Sequence, residues 1–153
     1  MTLTTPWGDR LDADAPLPEY PRPQLARGDW LTLNGRWRYA VTDVADPDPL
    51  AVPDPTGAPD CAGTIVVPFS PETPLSGVGR RLGPAEALWY RRSFGLPVAT
   101  HGRRVLLHFG AVDQTCRVAV DGVEVGGHSG GYLPFSFDIT SALGPGDAHD
   151  LVV

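Results

Sequence analysis

The sequence has 153 residues, enough for one domain with a substantial core, and it carries a net charge of −6. This charge and the lack of a basic stripe argue against nucleic acid as a partner, and no apolar run is long enough for a secretory signal or a membrane span. With 17 Pro and 18 Gly along the chain, long helices are disfavoured, and we expect an all-β protein in the cytoplasm without membrane contact.

The start of the chain is predicted to be an arm. Residues 1–30 are proline-rich and polar, so we expect them to be extended, and we expect residues 31–153 to form the folded domain. The domain opens with a predicted strand over Leu33–Thr42, where Asn34 and Gly35 supply a turn ahead of the aromatic residues.

A long acidic loop follows this strand. Residues 43–62 contain five Pro and five Asp, which predicts a loop that is either mobile or held by a partner. Asp46, Asp48 and Asp54 do not have the spacing of an EF-hand, so we interpret them as solvated charges rather than Ca²⁺ ligands.

Three further strands are predicted in the middle of the chain. They are Gly63–Phe69, Ala87–Phe94 and Arg103–Val112, each rich in β-branched or aromatic residues. A second long loop, residues 70–87, connects the first two of them. Pro68 cannot donate to a β-ladder, so we place it at a strand end.

A hairpin is the clearest local signal. Asp121 and Gly122 join two alternating runs and predict a two-residue type I′ turn. The register set by this turn places four valines on one face in two facing pairs, Val120 with Val123 and Val118 with Val125. The other face is expected to carry Ala119 opposite Glu124, with Arg117 diagonal to Glu124.

The last elements complete an all-β pattern. Phe135, Phe137 and Ile139 alternate in a strand, and a single helical turn capped by Thr140 is predicted to end at Gly144. A final strand begins at His149, so we expect the domain to be truncated at its C-terminal end. About eight strands separated by turns favour a jelly-roll β-sandwich.

One motif raises the question of catalysis. Residues 127–131 read Gly-His-Ser-Gly-Gly and match G-x-S-x-G, the nucleophile elbow of serine hydrolases. That elbow needs a helix after the serine, whereas Gly130, Gly131 and Pro134 disfavour one here. We therefore interpret Ser129 as part of a glycine-rich corner, and we expect no catalytic residue in this chain.

Metal and redox chemistry have weak signals. The four His have no zinc-site spacing, and the chain has neither a P-loop nor a dinucleotide fingerprint, so we expect no metal and no cofactor. Cys61 and Cys116 do not suggest a disulfide framework, and Cys116 alternates with valines as a buried thiol would.

Three blocks in order resemble a known family. They are YPRPQLARGDWLTLNGRWRYA, then VPFSPETPLSGVG with LWYRRSF, and then HFGAVDQTCRVAVDGVEVGGHSGGYLPFSFDIT. Together they resemble the N-terminal domain of glycoside hydrolase family 2, the β-galactosidase and β-glucuronidase group. The resemblance implies a galactose-binding-like jelly roll, which the family calls a sugar-binding domain.

The resemblance also implies that other domains accompany this one and that one of them carries the catalytic residues. In full-length members an immunoglobulin-like domain and a (β/α)₈ barrel follow, and the barrel carries the two glutamates of a retaining mechanism. The acid/base glutamate follows an asparagine in the family pattern, whereas the one asparagine here, Asn34, precedes Gly35. We therefore expect this chain to be a non-catalytic domain that packs against a barrel and shapes its cleft, with residues 43–62 and 70–87 as docking loops.

Two residues are candidates for contact with substrate. In some relatives the loop before the LWYRR-like strand reaches the barrel's pocket through an asparagine, which residues 83–87 lack. Glu86 and Arg80 are the candidates for that role at the cleft rim.

Two alternatives stay open, a free-standing carbohydrate-binding module and a protein-interaction β-sandwich. A sugar-binding module needs exposed aromatic rings that stack on sugars. The candidates, which we expect to fill the core or an interface instead, are Trp7, Trp30, Trp37, Trp89, Tyr90 and Tyr132.

Overall fold

The fold is all-β, as the sequence predicted. A computed structural model describes residues 5–44, 52–97 and 102–153, and these ranges hold eight strands and no α-helix. The strands are β1 (Gly35–Asp43), β2 (Gly63–Val67), β3 (Glu86–Gly95), β4 (Leu106–Phe109), β5 (Thr115–Val120), β6 (Val123–Ser129), β7 (Phe135–Asp138) and β8 (Ala148–Val152). No helix in these ranges has the length and apolar character of a membrane span.

The chain divides into two compact units. Unit 1 comprises Met1–Arg38 and Gly63–Arg81, and unit 2 comprises Tyr39–Ala62 and Leu82–Val153. These units do not coincide with the predicted arm, residues 1–30, and the boundary of that arm stays a prediction.

Unit 1 has a small core beside the start of β1. Ile65 and Val66 of β2 are buried, as is Trp37 of β1. The Trp37 indole N–H donates to the carbonyl of Leu33 at 2.7 Å, which satisfies its polar atom. Ser76, in the short 3₁₀ turn Pro74–Ser76, is also fully buried, and its hydroxyl is satisfied because it donates to the Thr73 carbonyl at 2.7 Å.

Unit 2 contains a β-sandwich. Within this unit the main sheet consists of the part of β1 from Tyr39 onwards, followed in order by β3, β8, β5 and β6, and β4 pairs with β7 in a second, two-stranded sheet. β8 lies between β3 and β5 and is antiparallel to both. Alternating side chains fill the interior, and the fully buried ones include Val118, Val120, Ile139 and Leu151. The predicted jelly-roll class is confirmed.

The hairpin confirms the predicted turn but not the whole register. Asp121 and Gly122 have φ of +50° and +78°, as a type I′ turn requires. Val120 faces Val123 and Ala119 faces Glu124, as predicted.

A β-bulge changes the next pair of this hairpin. The ladder shifts between Val118 and Ala119, so Val118 faces Gly126, and the predicted pairing with Val125 is wrong. Gly126 has φ of +149°, and a Cβ there would lie 2.5 Å from a ring carbon of Phe137. The bulge therefore presents a residue without a side chain to the ring of Phe137, a requirement that alternation alone does not reveal.

Two smaller predictions also change. β4 covers only Leu106–Phe109, shorter than the predicted Arg103–Val112, because the amide of Val105 already bonds the hydroxyl of Thr140 at 2.9 Å. The turn after β7 is present, since Ala142 N–H donates to the carbonyl of Ile139 at 3.0 Å. Its cap is not Thr140, because the turn begins one residue earlier and the Asp138 carboxylate accepts the Thr140 N–H at 3.1 Å.

Candidate functional site

The segment around Ser129 is a corner between strands. Ser129 ends β6, Gly130 has φ of +119°, and β7 begins at Phe135 without an intervening helix. The Ser129 hydroxyl lies 3.3 Å from the hydroxyl of Thr115. The context of a nucleophile elbow is therefore missing, and the corner interpretation is confirmed.

The residues on both sides of this corner belong to a stack of aromatic rings. The His128 ring stacks on Phe135 with centroids 4.1 Å apart, and Phe135 stacks on Phe109 at 4.8 Å. Gly131 packs so closely that a Cβ there would lie 2.5 Å from Oδ1 of Asp113. The backbone of the corner is thus fixed on both sides by packing.

The tip of the corner is left in solvent. We define the corner tip as Tyr132 and Leu133, which are 97% and 69% exposed. Tyr132 was among the predicted aromatic candidates, whereas Leu133 was missed because a lone Leu between Tyr132 and Pro134 gives no periodic signal.

The aromatic candidates divide between core and surface. Trp37 and Trp89 are buried, which confirms the expectation for them, and Tyr90 is half-buried. Trp7 and Tyr132 are 81% and 97% exposed, so neither fills the core, and a place for them in an interface stays a prediction. Trp30 is also exposed, where its ring meets the edge of Tyr20 at 4.8 Å.

The two predicted rim residues lie in different units, and each is described alone. Glu86 begins β3 in unit 2, where its Oε2 accepts the N–H of Gly83 at 2.7 Å and closes a tight turn. Arg80 is exposed in unit 1, and its N–H donates to the carbonyl of Pro71 at 3.0 Å. Their role as substrate contacts stays a prediction.

The acidic loop is held by the hairpin of its own unit. Arg117 of β5 binds both oxygens of Glu124, at 2.8 and 2.5 Å, and also donates to the carbonyl of Val52 at 3.3 Å. The hydrogen bonds from Arg117 lower the pKa of Glu124. The described part of the loop, which begins at Val52, is thus attached to the sheet, and its role as a docking loop stays a prediction.

Asp54 of the acidic loop, interpreted from the sequence as a solvated charge, is exposed and is bonded within its own turn. The carboxylate of Asp54 accepts the N–H and hydroxyl of Thr56 at 2.9 and 2.8 Å, and these bonds lower its pKa. Asp46 and Asp48 lie outside the described residues. In the ranges that the structure describes, no group of three or more His, Cys, Asp or Glu side chains is arranged to hold a metal ion.

Asp121 organises a cluster that the sequence did not reveal. Its Oδ1 accepts the N–H of Asp150 at 2.8 Å, and its Oδ2 accepts the N–H of Gly144 and Nδ1 of buried His149, both at 2.7 Å. Burial raises the pKa of Asp121, but the two backbone N–H groups and His149 together outweigh burial and hold it below the ordinary value. The Asp-Gly turn signal already accounted for this residue, so nothing in the sequence pointed to a second role.

Other perturbed side chains in the described ranges also serve the fold. Asp138 has a lowered pKa because Thr140 and Arg104 bind its carboxylate, and Glu72 has one because the Ser70 hydroxyl does. Cys116 is buried, as predicted, and burial raises the pKa of its thiol.

The comparisons with known proteins point to one family. No protein-family model matches the chain. A β-glucuronidase of Paenibacillus borealis is 31% identical over 138 residues, which cover 88% of this chain and 22% of that protein. A β-galactosidase of Thermoanaerobacter pseudethanolicus is 41% identical over 64 residues, which cover 42% of this chain and 9% of that protein.

A solved structure agrees with these relatives. The β-glucuronidase of Faecalibacterium prausnitzii matches with a TM-score of 0.62 and 30% identity, over 88% of this chain and 22% of that chain. This chain therefore spans about a fifth of the length of these two β-glucuronidases. The sequence blocks, the all-β fold and these matches together place the chain in glycoside hydrolase family 2, the β-glucuronidase and β-galactosidase group, as one domain.

Proposed function

We propose that this chain is the N-terminal, non-catalytic accessory domain of a family 2 glycosidase that hydrolyses O-glycosidic bonds in carbohydrate metabolism. Its partners in the same polypeptide are an immunoglobulin-like domain and a (β/α)₈ barrel. The observation that carries the proposal is that the alignment fills 88% of this chain but only 22% of a β-glucuronidase. The enzymes it resembles have most of their length outside the matched region.

The pKa shifts and hydrogen bonds of the glutamate side chains support a non-catalytic role. A retaining glycosidase needs an acid with a raised pKa about 5 Å from a carboxylate nucleophile. Glu72 and Glu124 instead have lowered pKa values, because Ser70 and Arg117 stabilise their ionised forms. Glu86 is bound to the N–H of Gly83. These glutamates act as acceptors that hold turns and strands in place.

Several finer features belong to the same proposal. We place an extended arm at residues 1–30 and the jelly-roll domain at residues 31–153, with Glu86 and Arg80 at the rim of the neighbouring barrel's cleft. A cytoplasmic location remains a prediction from the sequence.

Hydrolysis assays test the proposal directly. Nitrophenyl β-glucuronide and β-galactoside are incubated with the pure 153-residue chain and with the natural product of the gene that encodes it. We expect no turnover by the chain and turnover by the gene product. Turnover by the chain, or none by the gene product, contradicts the proposal.

A carbohydrate-binding module is the second candidate, and the exposed rings of Trp7 and Tyr132 favour it. Calorimetry of the chain with glucuronides and galactosides separates the two functions. A Kd tighter than about 1 mM, equivalent to roughly −4 kcal/mol, supports the module. Absence of binding supports the accessory domain.

A further inference from the structure

The corner tip is an exposed apolar surface in the unit with the larger core. Tyr132 and Leu133 are neighbours in the chain and are 97% and 69% exposed. Residues 130–135 read GGYLPF and carry no charge. An adjacent pair of large, exposed apolar side chains without charge is the composition of an interface centre rather than of an ordinary surface loop.

The tip stands on a rigid base, so little freedom is lost when it binds. The N–H of Gly130 donates to the carbonyl of Gln114 at 2.7 Å, and Gly131 packs against the Asp113 carboxylate. Immediately after the tip, Phe135 is stacked between His128 and Phe109. A preorganised aromatic anchor loses less conformational entropy on association than a mobile one.

The size of the tip limits what can occupy it. A Tyr and a Leu side chain offer on the order of 300 Å² of contact area. A stable interface between free partners, including two copies of one chain, needs about 800 Å² from each side. A partner joined through the same polypeptide is present at an effective concentration of about millimolar, so a small anchor is sufficient for it.

We propose that Tyr132 and Leu133 dock onto a neighbouring domain of the same family 2 polypeptide. This proposal rests on the proposed function, which supplies that domain. The tip is an apolar anchor with a phenolic hydroxyl at its end, so it fits a shallow apolar pocket lined by at least one hydrogen-bonding group.

Nitration of tyrosine tests the docking. Tetranitromethane modifies exposed tyrosines, and mass spectrometry of peptides gives the rate for Tyr132 relative to Tyr39, which is half-buried. In the 153-residue chain we expect Tyr132 to react fastest. In the natural gene product we expect its relative rate to fall by about tenfold, as a docked fraction of about nine-tenths requires. Equal relative rates in the two proteins overturn the proposal.

The same experiment identifies other occupants. Protection that disappears when an oligomer is diluted to monomers assigns the tip to a second copy and overturns the proposal. Protection of the isolated chain by added glucuronide or galactoside assigns the tip to sugar and also overturns it. A gene product that hydrolyses glycosides while Tyr132 stays reactive leaves the proposed function intact and rejects only the docking.

Substitutions give a second readout. The double variant Tyr132→Ser, Leu133→Ser is compared with Val123→Ser, a 50% exposed apolar residue of the hairpin. We expect the double variant to lower the Tm of the gene product but not that of the chain, and Val123→Ser to lower neither. An equal loss in chain and gene product means that the tip only stabilises its own fold, which contradicts the proposal.

Discussion

The two units of the molecule differ in how much of their large apolar side chains is exposed. Unit 1 leaves six of them exposed, namely Trp7, Leu17, Leu25, Trp30, Leu31 and Leu75. Unit 2 exposes four, Leu106, Val123, Tyr132 and Leu133, while it buries most of the core residues of the described chain. Most of the buried residues of unit 2 lie on strands, and both faces of β5 are covered at Val118, Ala119 and Val120. Most exposed residues of unit 1 instead precede β1. Apolar residues without a period have no common face to bury.

The largest predicted effect applies the same substitution to both units. Leu151→Ala removes a fully buried side chain from unit 2 and should lower the free energy of unfolding by about 2–5 kcal/mol. Leu25→Ala in unit 1 removes a side chain that is 69% exposed and should change it by about 0.5 kcal/mol or less. Urea denaturation measures the change in the free energy of unfolding for both variants. Similar losses of stability would show that the difference in burial between the units does not lead to a difference in stability.

The next prediction concerns the bulge that the sequence did not reveal. Gly126→Ala places a Cβ 2.5 Å from the ring of Phe137 at a φ of +149°, so we expect a loss of about 1–3 kcal/mol. Gly122→Ala is the matched control, since it also has a positive φ but has nothing within 4 Å, and should cost about 1 kcal/mol. A larger loss for Gly122→Ala in thermal denaturation contradicts the packing explanation.

Asp121 should make unit 2 sensitive to acid. Its pKa is lower in the folded than in the unfolded chain, so its contribution is fully present above the unfolded pKa of about 4 and is lost as the pH falls through the folded value. Asp121→Asn should cost about 1–3 kcal/mol at pH 7 and remove this part of the acid sensitivity. Urea midpoints from pH 7 to pH 3 measure it, and an unchanged slope in the variant rejects the cluster's role.

The smallest predicted effect concerns the exposed ion pair of Arg117 and Glu124. Glu124→Gln should lower the Tm by less than Asp121→Asn does, because solvent screens the pair. Its effect should shrink further in high salt. Thermal denaturation at low and high salt tests this, and a loss that does not depend on salt would assign another role to Glu124.

Periodicity and turn chemistry predict the features of this fold that depend on residues close together in the chain. The alternating valines of β5 and the Asp-Gly turn determined the hairpin, and its first two pairs were correct. The bulge at Val118 could not be predicted, because the ring of Phe137 that lies against Gly126 belongs to another strand. The same is true of Asp121, whose partners His149 and Gly144 come from a distant part of the chain.

The candidate site was less predictable than the fold. The glycines beside Ser129 correctly indicated a corner. The exposure of Tyr132 and Leu133, however, depends on how the backbone of that corner is held by the stacked rings of His128, Phe135 and Phe109. For Glu86 and Arg80, the sequence supplies a resemblance and the structure supplies local hydrogen bonds. A contact between these residues and a substrate depends on the surface of another domain, about which neither residue carries information.

The most direct measurement is to locate the covalent intermediate. A 2-fluoro glucuronide or galactoside traps the glycosyl-enzyme of a retaining glycosidase, and peptide mass spectrometry finds the labelled carboxylate. For the natural gene product, we predict that the label lies on a glutamate outside the 153 residues and that the isolated chain takes up none. A label on Glu19, Glu72, Glu86 or Glu124 would contradict the account.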